Sequence, residues 1–494
     1  MPTTANDAAG PEVGRAPRRL GARRANKPHE DRLLKLTDRG RNATNTEASV
    51  MKPAMGRLTS ALTAPGLRIP RHRATTAHVS ALYPFHTDSG LGSRGVYIGE
   101  DISAGGSSWC YDPFQLYTDK VITSPNIVVL GMVGSGKSSA VKTYLYRSIG
   151  LLGSGEGGKP RWCGILDPKG EYGPLADALG ISRLALKPGG NIRLNPLDPG
   201  PYSESLDDLR SRRTQMVAAL AAAVLHRDLR PTEDAALGWV IDDITLNPNT
   251  DTVPTLHDVV KLLMHPTAAM VDKARMDSDK ELSREISDVR HALGKLVDGH
   301  LRGMFDGPTT ETITWDGRGV VIDLSSVHTD PDALTVVMIA AMGWFQSLLA
   351  APEGEDTPRR VQVWEEIWAL LGQERTAKYF QACQKLSRDY GVANISVAHR
   401  IADLRAQSDD GTSAAKVAMG LLADTQTRIL FRQSADQVPE AVEMLGLTAV
   451  EAQILPRLAR GRALWQVADQ KAVVQHRIGS TEWPITLTDH RLTV

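Results

Sequence analysis

Apolar residues recur in two rhythms along this chain of 494 residues. Short unbroken runs predict strands covered on both faces: Ile127-Val128-Val129-Leu130, Gly164-Ile165-Leu166, Gly319–Leu324, Arg360–Trp364, Asn394–Ala398 and Arg428–Phe431. Runs spaced for one helix face follow several of them, first at Ala140–Ile149 and Leu175–Leu179. Strands alternating with helices predict an α/β class protein with a doubly wound, mostly parallel sheet. Between about 203 and 305 the helical rhythm stands alone, in Arg213–Leu225, Asp234–Ile244, Leu256–Leu263 and Glu281–Leu296. That stretch reads as an inserted all-α unit. Leu334–Ala351 carries no charge over eighteen residues, but it closely follows a strand-like run and ends at Pro352, so it predicts a buried helix. Ala463–Val467, Ala472–His476 and Glu482–Leu487 predict short antiparallel strands, and the Gly- and aromatic-rich 76–120 predicts strands and turns.

The expected organisation is therefore a tail over 1–75, a small β-rich segment over 76–120, α/β core over 121–202, an all-α insertion over 203–312, returning core over 313–434, and a final segment over 435–494. Charge separates the first of these from the rest. Lys+Arg and Asp+Glu both total 57, yet residues 1–75 hold 15 basic against 6 acidic residues, leaving 42 against 51. A basic tail without periodicity predicts disorder, either as an arm for anionic lipid or nucleic acid or as a plain solvated tail. The pairs Arg18-Arg19 and Arg23-Arg24 are followed by no apolar stretch of the kind a secretion signal has. Cys110, Cys163 and Cys383 are too few and too far apart for a disulfide scaffold or a cysteine-based zinc site, and they fit a reducing cytoplasm.

The chemistry concentrates in Gly131-Met132-Val133-Gly134-Ser135-Gly136-Lys137-Ser138, followed by Ser139. The run satisfies G-x-x-x-x-G-K-[ST] between a predicted strand and a predicted helix, the context in which backbone N–H groups wrap phosphate oxygens. Lys137 then reaches the β- and γ-phosphates of ATP, and Ser138 takes one position on Mg²⁺. The strand Val361–Trp364 delivers Glu365-Glu366 at its end. Glu365 is the candidate to hold Mg²⁺ through water, and Glu366 is the candidate general base. Trp364 and Trp368 read as core. His399-Arg400 ends another strand, where His399 is either a γ-phosphate sensor or a hydrogen-bonded core histidine. Arg428 and Arg432 flank the next strand, as arginine fingers for an adjoining subunit or as surface arginines.

On these residues the chain resembles the conjugative ATPases of the HerA/FtsK superfamily, and within it the VirB4/TraC family of type IV secretion systems. The resemblance is carried by Ser124–Ser138, Asp167-Pro168-Lys169-Gly170-Glu171-Tyr172, Leu194-Asn195-Pro196-Leu197-Asp198, Glu365-Glu366-Ile367-Trp368, Ala398–Leu404 and Gly461-Arg462-Ala463-Leu464-Trp465, and it covers about 80–494. It implies a RecA-like ATPase core with an inserted all-α domain. It also implies a hexamer beneath the inner membrane that energises pilus assembly or substrate transfer through channel components. Peripheral membrane association follows from that, as does Glu366 as the catalytic glutamate, with Asp112 and Tyr117 bordering the nucleotide base. The chain departs from the family in having Glu rather than Asp at 365. A carboxylate displaced by about 1 Å can cost ~10²-fold in rate. It departs also in having about 120 residues where the family's large N-terminal domain stands. Two other readings remain open: a DNA translocase, and a nucleotide-gated scaffold with little turnover.

Overall fold

Burial on both faces is what turns the unbroken apolar runs into the central strands of a single sheet. The computed structural model describes residues 90–93, 95–152, 159–200, 205–246, 252–311, 317–349, 357–386, 389–399 and 413–487. The basic tail expected over 1–75 lies outside them, as does Arg400. Among the described residues the strands are β1 (Val96–Asp101), β2 (Ser107–Tyr111), β3 (Ile127–Leu130), β4 (Arg161–Asp167), β5 (Ser182–Ala185), β6 (Gly319–Asp323), β7 (Arg359–Trp364), β8 (Val392–Ala398), β9 (Thr427–Phe431), β10 (Arg462–Val467) and β11 (Gln470–His476). Their order is β2-β1-β11-β10-β9-β3-β8-β7-β4-β6-β5. From β9 to β5 every neighbouring pair is parallel, whereas β10, β11, β1 and β2 continue the sheet antiparallel.

Alternation along each strand divides the core in two. On β3, Ile127 and Val129 join the cluster that contains Val141, Tyr144 and Leu145 of the helix Lys137–Arg147. Val128 and Leu130 point the other way, into a cluster built with the helices Leu206–Leu225 and Pro331–Leu349. The second helix is the charge-free run, buried against sheet and neighbouring helices. Gly343 lets it approach closely, since a Cβ there would lie 2.7 Å from Met216 Cγ. Among the described residues no helix is long and apolar enough to cross a membrane.

Six described helices fall between β5 and β6, from Leu206–Leu225 to Ser287–Asp298. Local chemistry starts them. Ser205 Oγ accepts from the Asp208 N–H at 3.1 Å, and Thr255 with Asp258 forms a capping box ahead of Leu256–Met264.

Three expectations change. Glu482–Leu487 forms no strand: Pro484 has no N–H for a ladder, and a short helix runs over Trp483–Thr486 instead. The strand β5 was not foreseen, because Ser182-Arg183-Leu184-Ala185 has one buried apolar side chain in an exposed edge. The early strands β1 and β2 enter the main sheet through β11, with Gly99 opposite His476, so close that a Cβ at Gly99 would collide with Gln475 O.

Candidate active site

The parallel strands end together at one edge, and the turns leaving them carry the site. After β3 the chain turns at Gly131, where a Cβ would meet Phe431 Cβ at 2.4 Å, then passes through Gly134 and Gly136 in the left-handed region with φ of +74° and +114°. Ser135 Oγ donates to Met132 O at 2.6 Å. The loop is braced from outside as well: Met132 N–H donates to Arg432 O and Gly461 N–H to Ser135 O, both at 2.9 Å. These contacts hold a concave backbone at the N-terminus of the helix Lys137–Arg147, the arrangement that suits an anion.

Lys137 is buried, and its ammonium donates to Gly131 O at 2.5 Å, Met132 O at 3.1 Å and His399 Nδ1 at 2.9 Å. An ammonium has only donors, so Nδ1 is the nitrogen placed to accept from Lys137, while Nε2 lies between Glu366 Oε1 at 2.7 Å and Lys169 Nζ at 2.8 Å. One imidazole thus joins the phosphate-loop lysine to the acidic pair after β7. Burial is the main cause that pushes the Lys137 ammonium down to about 8, with the charge of Glu365 opposing it.

The two glutamates differ. Glu366 has φ of +56°, a strained backbone for a residue with a Cβ, held by the surrounding bonds. Its Oε1 also meets Lys169 Nζ at 2.5 Å, and its Oε2 accepts from Trp368 Nε1. Burial pushes Glu366 up, but the His399 hydrogen bond and charge and the Lys169 ammonium outweigh it and leave the carboxyl at about 2. Glu365 accepts from Tyr172 Oη at 2.6 Å. Burial drives this carboxyl up to about 7, the Tyr172 bond opposes that, and the charges of Glu366, Asp167 and Glu171 add to it.

Lys169 and Tyr172 come from the turn after β4. Asp167 accepts the Glu171 and Tyr172 N–H groups at 3.0 and 2.9 Å, and Gly170 takes φ of +69°. In the sequence this turn carries part of the family resemblance, and its polar density at a strand end is the signal that marks Lys169 and Tyr172. Lys142 escaped notice. It is fully buried, 3.9 Å from Glu171 and 5.1 Å from the centre of the Tyr172 ring.

At the level of sequence, no protein-family model and no curated protein matches the chain. Solved structures do. VirB4 of Thermoanaerobacter pseudethanolicus superposes with a TM-score of 0.60 at 19% identity, covering 80% of this chain and 100% of that one. The plasmid coupling protein TrwB in complex with the non-hydrolysable ATP analogue ADPNP gives 0.52 at 15% identity, covering 84% and 96%. TrwB with ADP and Mg²⁺ gives 0.50 at 15%, covering 72% and 85%. The chain has the fold of VirB4 and TrwB. It is the RecA-like P-loop fold that the resemblance implied.

Within this VirB4-like fold the remaining candidates separate. Asp112 is not at the phosphate edge. It is buried in a two-pronged ion pair with Arg161, at 2.8 and 3.1 Å, at the opposite end of β4. At ~3.3 Å per residue that end is about 20 Å from Asp167. Tyr117 shares a surface depression with Pro125, Lys159 and Arg359 at the same far edge. The buried Arg161 guanidinium claims the Asp112 carboxylate, and neither Asp112 nor Tyr117 shares an edge with the phosphate loop. Arg428 is likewise committed: its guanidinium donates to Leu422 O, Thr425 O and Leu445 O at 2.9, 3.2 and 3.2 Å, closing helix ends of its own chain. Arg432 is exposed at the end of β9, beside its own phosphate loop.

The donor set fits Mg²⁺. Ser138 in the first helical turn and the Glu365 carboxylate are hard oxygen donors, and Mg²⁺ takes few protein ligands, with phosphate and water oxygens completing its shell. Among the described residues no cluster of three or more His, Cys, Asp and Glu forms a metal cage.

Proposed function

We propose that the chain is a Mg·ATP-hydrolysing motor of the VirB4/TraC kind, energising a conjugation or type IV secretion apparatus. One observation carries the reading: Lys137 and Glu366 contact opposite nitrogens of the same imidazole, at 2.9 and 2.7 Å. The phosphate cradle and the base candidate therefore line one cleft. The backbone of Gly131–Ser139 binds the triphosphate, with contacts from Gly134, Ser135, Gly136, Lys137, Ser138 and Ser139. Bound Mg²⁺ would be held by Ser138 and Glu365 and would neutralise phosphate charge. Glu366 takes the proton of the attacking water. His399 orients that carboxylate and reports the position of Lys137. Arg432, rather than the tethered Arg428, is the arginine available to a phosphate.

The motor works as a ring of identical subunits, a hexamer, at the cytoplasmic side of the membrane. Channel components are its partners, and its cargo is DNA or protein. Turnover of ATP with Mg²⁺ by the full chain, compared with Lys137→Ala and Glu366→Gln, tests the chemistry. Both variants lose at least ~10²-fold in kcat. Equal rates in all three proteins would end the reading.

A scaffold that binds ATP without turning it over is favoured by one observation, the three donors that hold Glu366 and its carboxyl at about 2. Single-turnover hydrolysis separates the two: the motor completes one cycle in seconds, whereas the scaffold retains intact ATP.

A further inference from the structure

Glu366 has more donors than its carboxylate needs. His399 Nε2 and Lys169 Nζ converge on Oε1 at 2.7 and 2.5 Å, and Trp368 Nε1 satisfies Oε2. Without Lys169 each oxygen would still have a partner. Lys169 differs from the other two in how it is held. Its side chain is 31% exposed, against 3% for Glu366. It stands at the apex of a turn whose base is fixed: Asp167 binds the N–H groups of Glu171 and Tyr172, and Tyr172 is buried on Glu365. The ammonium can therefore swing on its four-carbon stem while the turn stays in place.

Lys137 and Lys169 also face the same ring from opposite sides, at 2.9 Å from Nδ1 and 2.8 Å from Nε2. Two ammonium groups abut one imidazole, with the Glu366 carboxylate paired to only one of them, and form an electropositive focus. Its best complement is an anion with several charges.

We propose that Lys169 is a positioning residue that reads the terminal phosphate of the nucleotide: it covers Glu366 when no triphosphate is bound and leaves it for the γ-phosphate when one is. The exchange frees Oε1 of Glu366 to accept a proton from water and gives the phosphate a second ammonium. A diphosphate does not reach the ammonium, so the cover stays closed. This inference rests on the nucleotide reading above and adds to it how the base is kept idle.

The test is equilibrium binding of Mg·ADPNP and Mg·ADP to the full chain and to Lys169→Met, Lys169→Arg, Glu366→Gln and the double variant Lys169→Met/Glu366→Gln. Unfolding curves establish that each protein folds. Lys169→Met weakens ADPNP binding about tenfold and leaves ADP within about twofold, and Lys169→Arg restores part of the difference. Glu366→Gln releases the ammonium and tightens ADPNP, a gain that disappears in the double variant. The proposal is overturned if Lys169→Met binds both nucleotides as the wild type does, or if Glu366→Gln gains equally with Met at 169. If the wild-type chain binds neither nucleotide, the nucleotide reading falls and this inference with it; if it binds both and only the Lys169 effects are missing, the inference alone falls.

Discussion

Tyr172 Oη donates to Glu365 Oε1 at 2.6 Å, joining residues 193 positions apart in the chain. The phenol is buried and so is the carboxylate, which makes this bond the point where the turn after β4 is fastened to the end of β7. Without the hydroxyl, a buried carboxylate loses its donor. Tyr172→Phe is expected to destabilise the nucleotide-free protein by about 1–3 kcal/mol in urea unfolding. It also removes the influence that lowers the Glu365 carboxyl, so that group rises above about 7 and the acid limb of Mg²⁺-dependent hydrolysis moves to higher pH. An acid limb that stays in place in the variant would contradict the assignment of Glu365.

In the proposed mechanism His399 orients Glu366 without filling the phosphate cradle. His399→Ala should lower kcat by about 10²-fold and leave KM within a fewfold, because the interaction lost is one made around the base. Steady-state kinetics over a range of ATP concentrations measures both. A rise in KM alone would make His399 a binding contact instead.

His476 is half-buried with its Nε2 enclosed, stacks on Phe431 and lies 3.1 Å from Gly461 O through Nδ1. Burial is the chief cause that lowers its folded-state value from 6.5 to about 4. Between those values the unfolded chain binds a proton that the folded chain refuses, so stability is lost as pH falls from 6.5 toward 4, by about 3 kcal/mol in all. Glu365 slopes the other way between 4.5 and about 7, since its folded form keeps a proton that the unfolded chain releases. His476→Gln keeps a donor and removes the titration. The difference between wild-type and variant unfolding free energies, measured from pH 4 to 7, isolates the histidine, and a difference independent of pH would contradict the burial argument.

Asp112 and Arg161 form a buried pair far from the phosphate loop. Asp112→Ala leaves the guanidinium buried without its carboxylate and is expected to cost about 3–5 kcal/mol. Affinity for Mg·ADPNP at a temperature where the variant is folded should match the wild type. Weakened nucleotide binding there would return Asp112 to the nucleotide site.

How much of this was legible beforehand follows from distance along the chain. The glycine pattern, its flanking strand β3 and the helix after it were readable because a phosphate loop is contiguous: each residue acts on its near neighbours. Most of the central strands were readable for a related reason, since burial on both faces leaves unbroken apolar runs. Edge strand β5 and the helix at Trp483–Thr486 were not, because an exposed edge and a four-residue helix place little demand on side-chain pattern.

The sequence by itself determined a phosphate loop, a mostly parallel sheet and two adjacent glutamates at a strand end. Only the tertiary structure decided what those glutamates touch. Tyr172 holds one carboxyl, Glu365, whereas Lys169, His399 and Trp368 surround the other, Glu366. The same folding removed Asp112 to the far edge and tied Arg428 to its own helices. The physical reason is that a buried charge takes whichever partner the packing brings within about 3 Å, and that choice is made between strands distant in the chain.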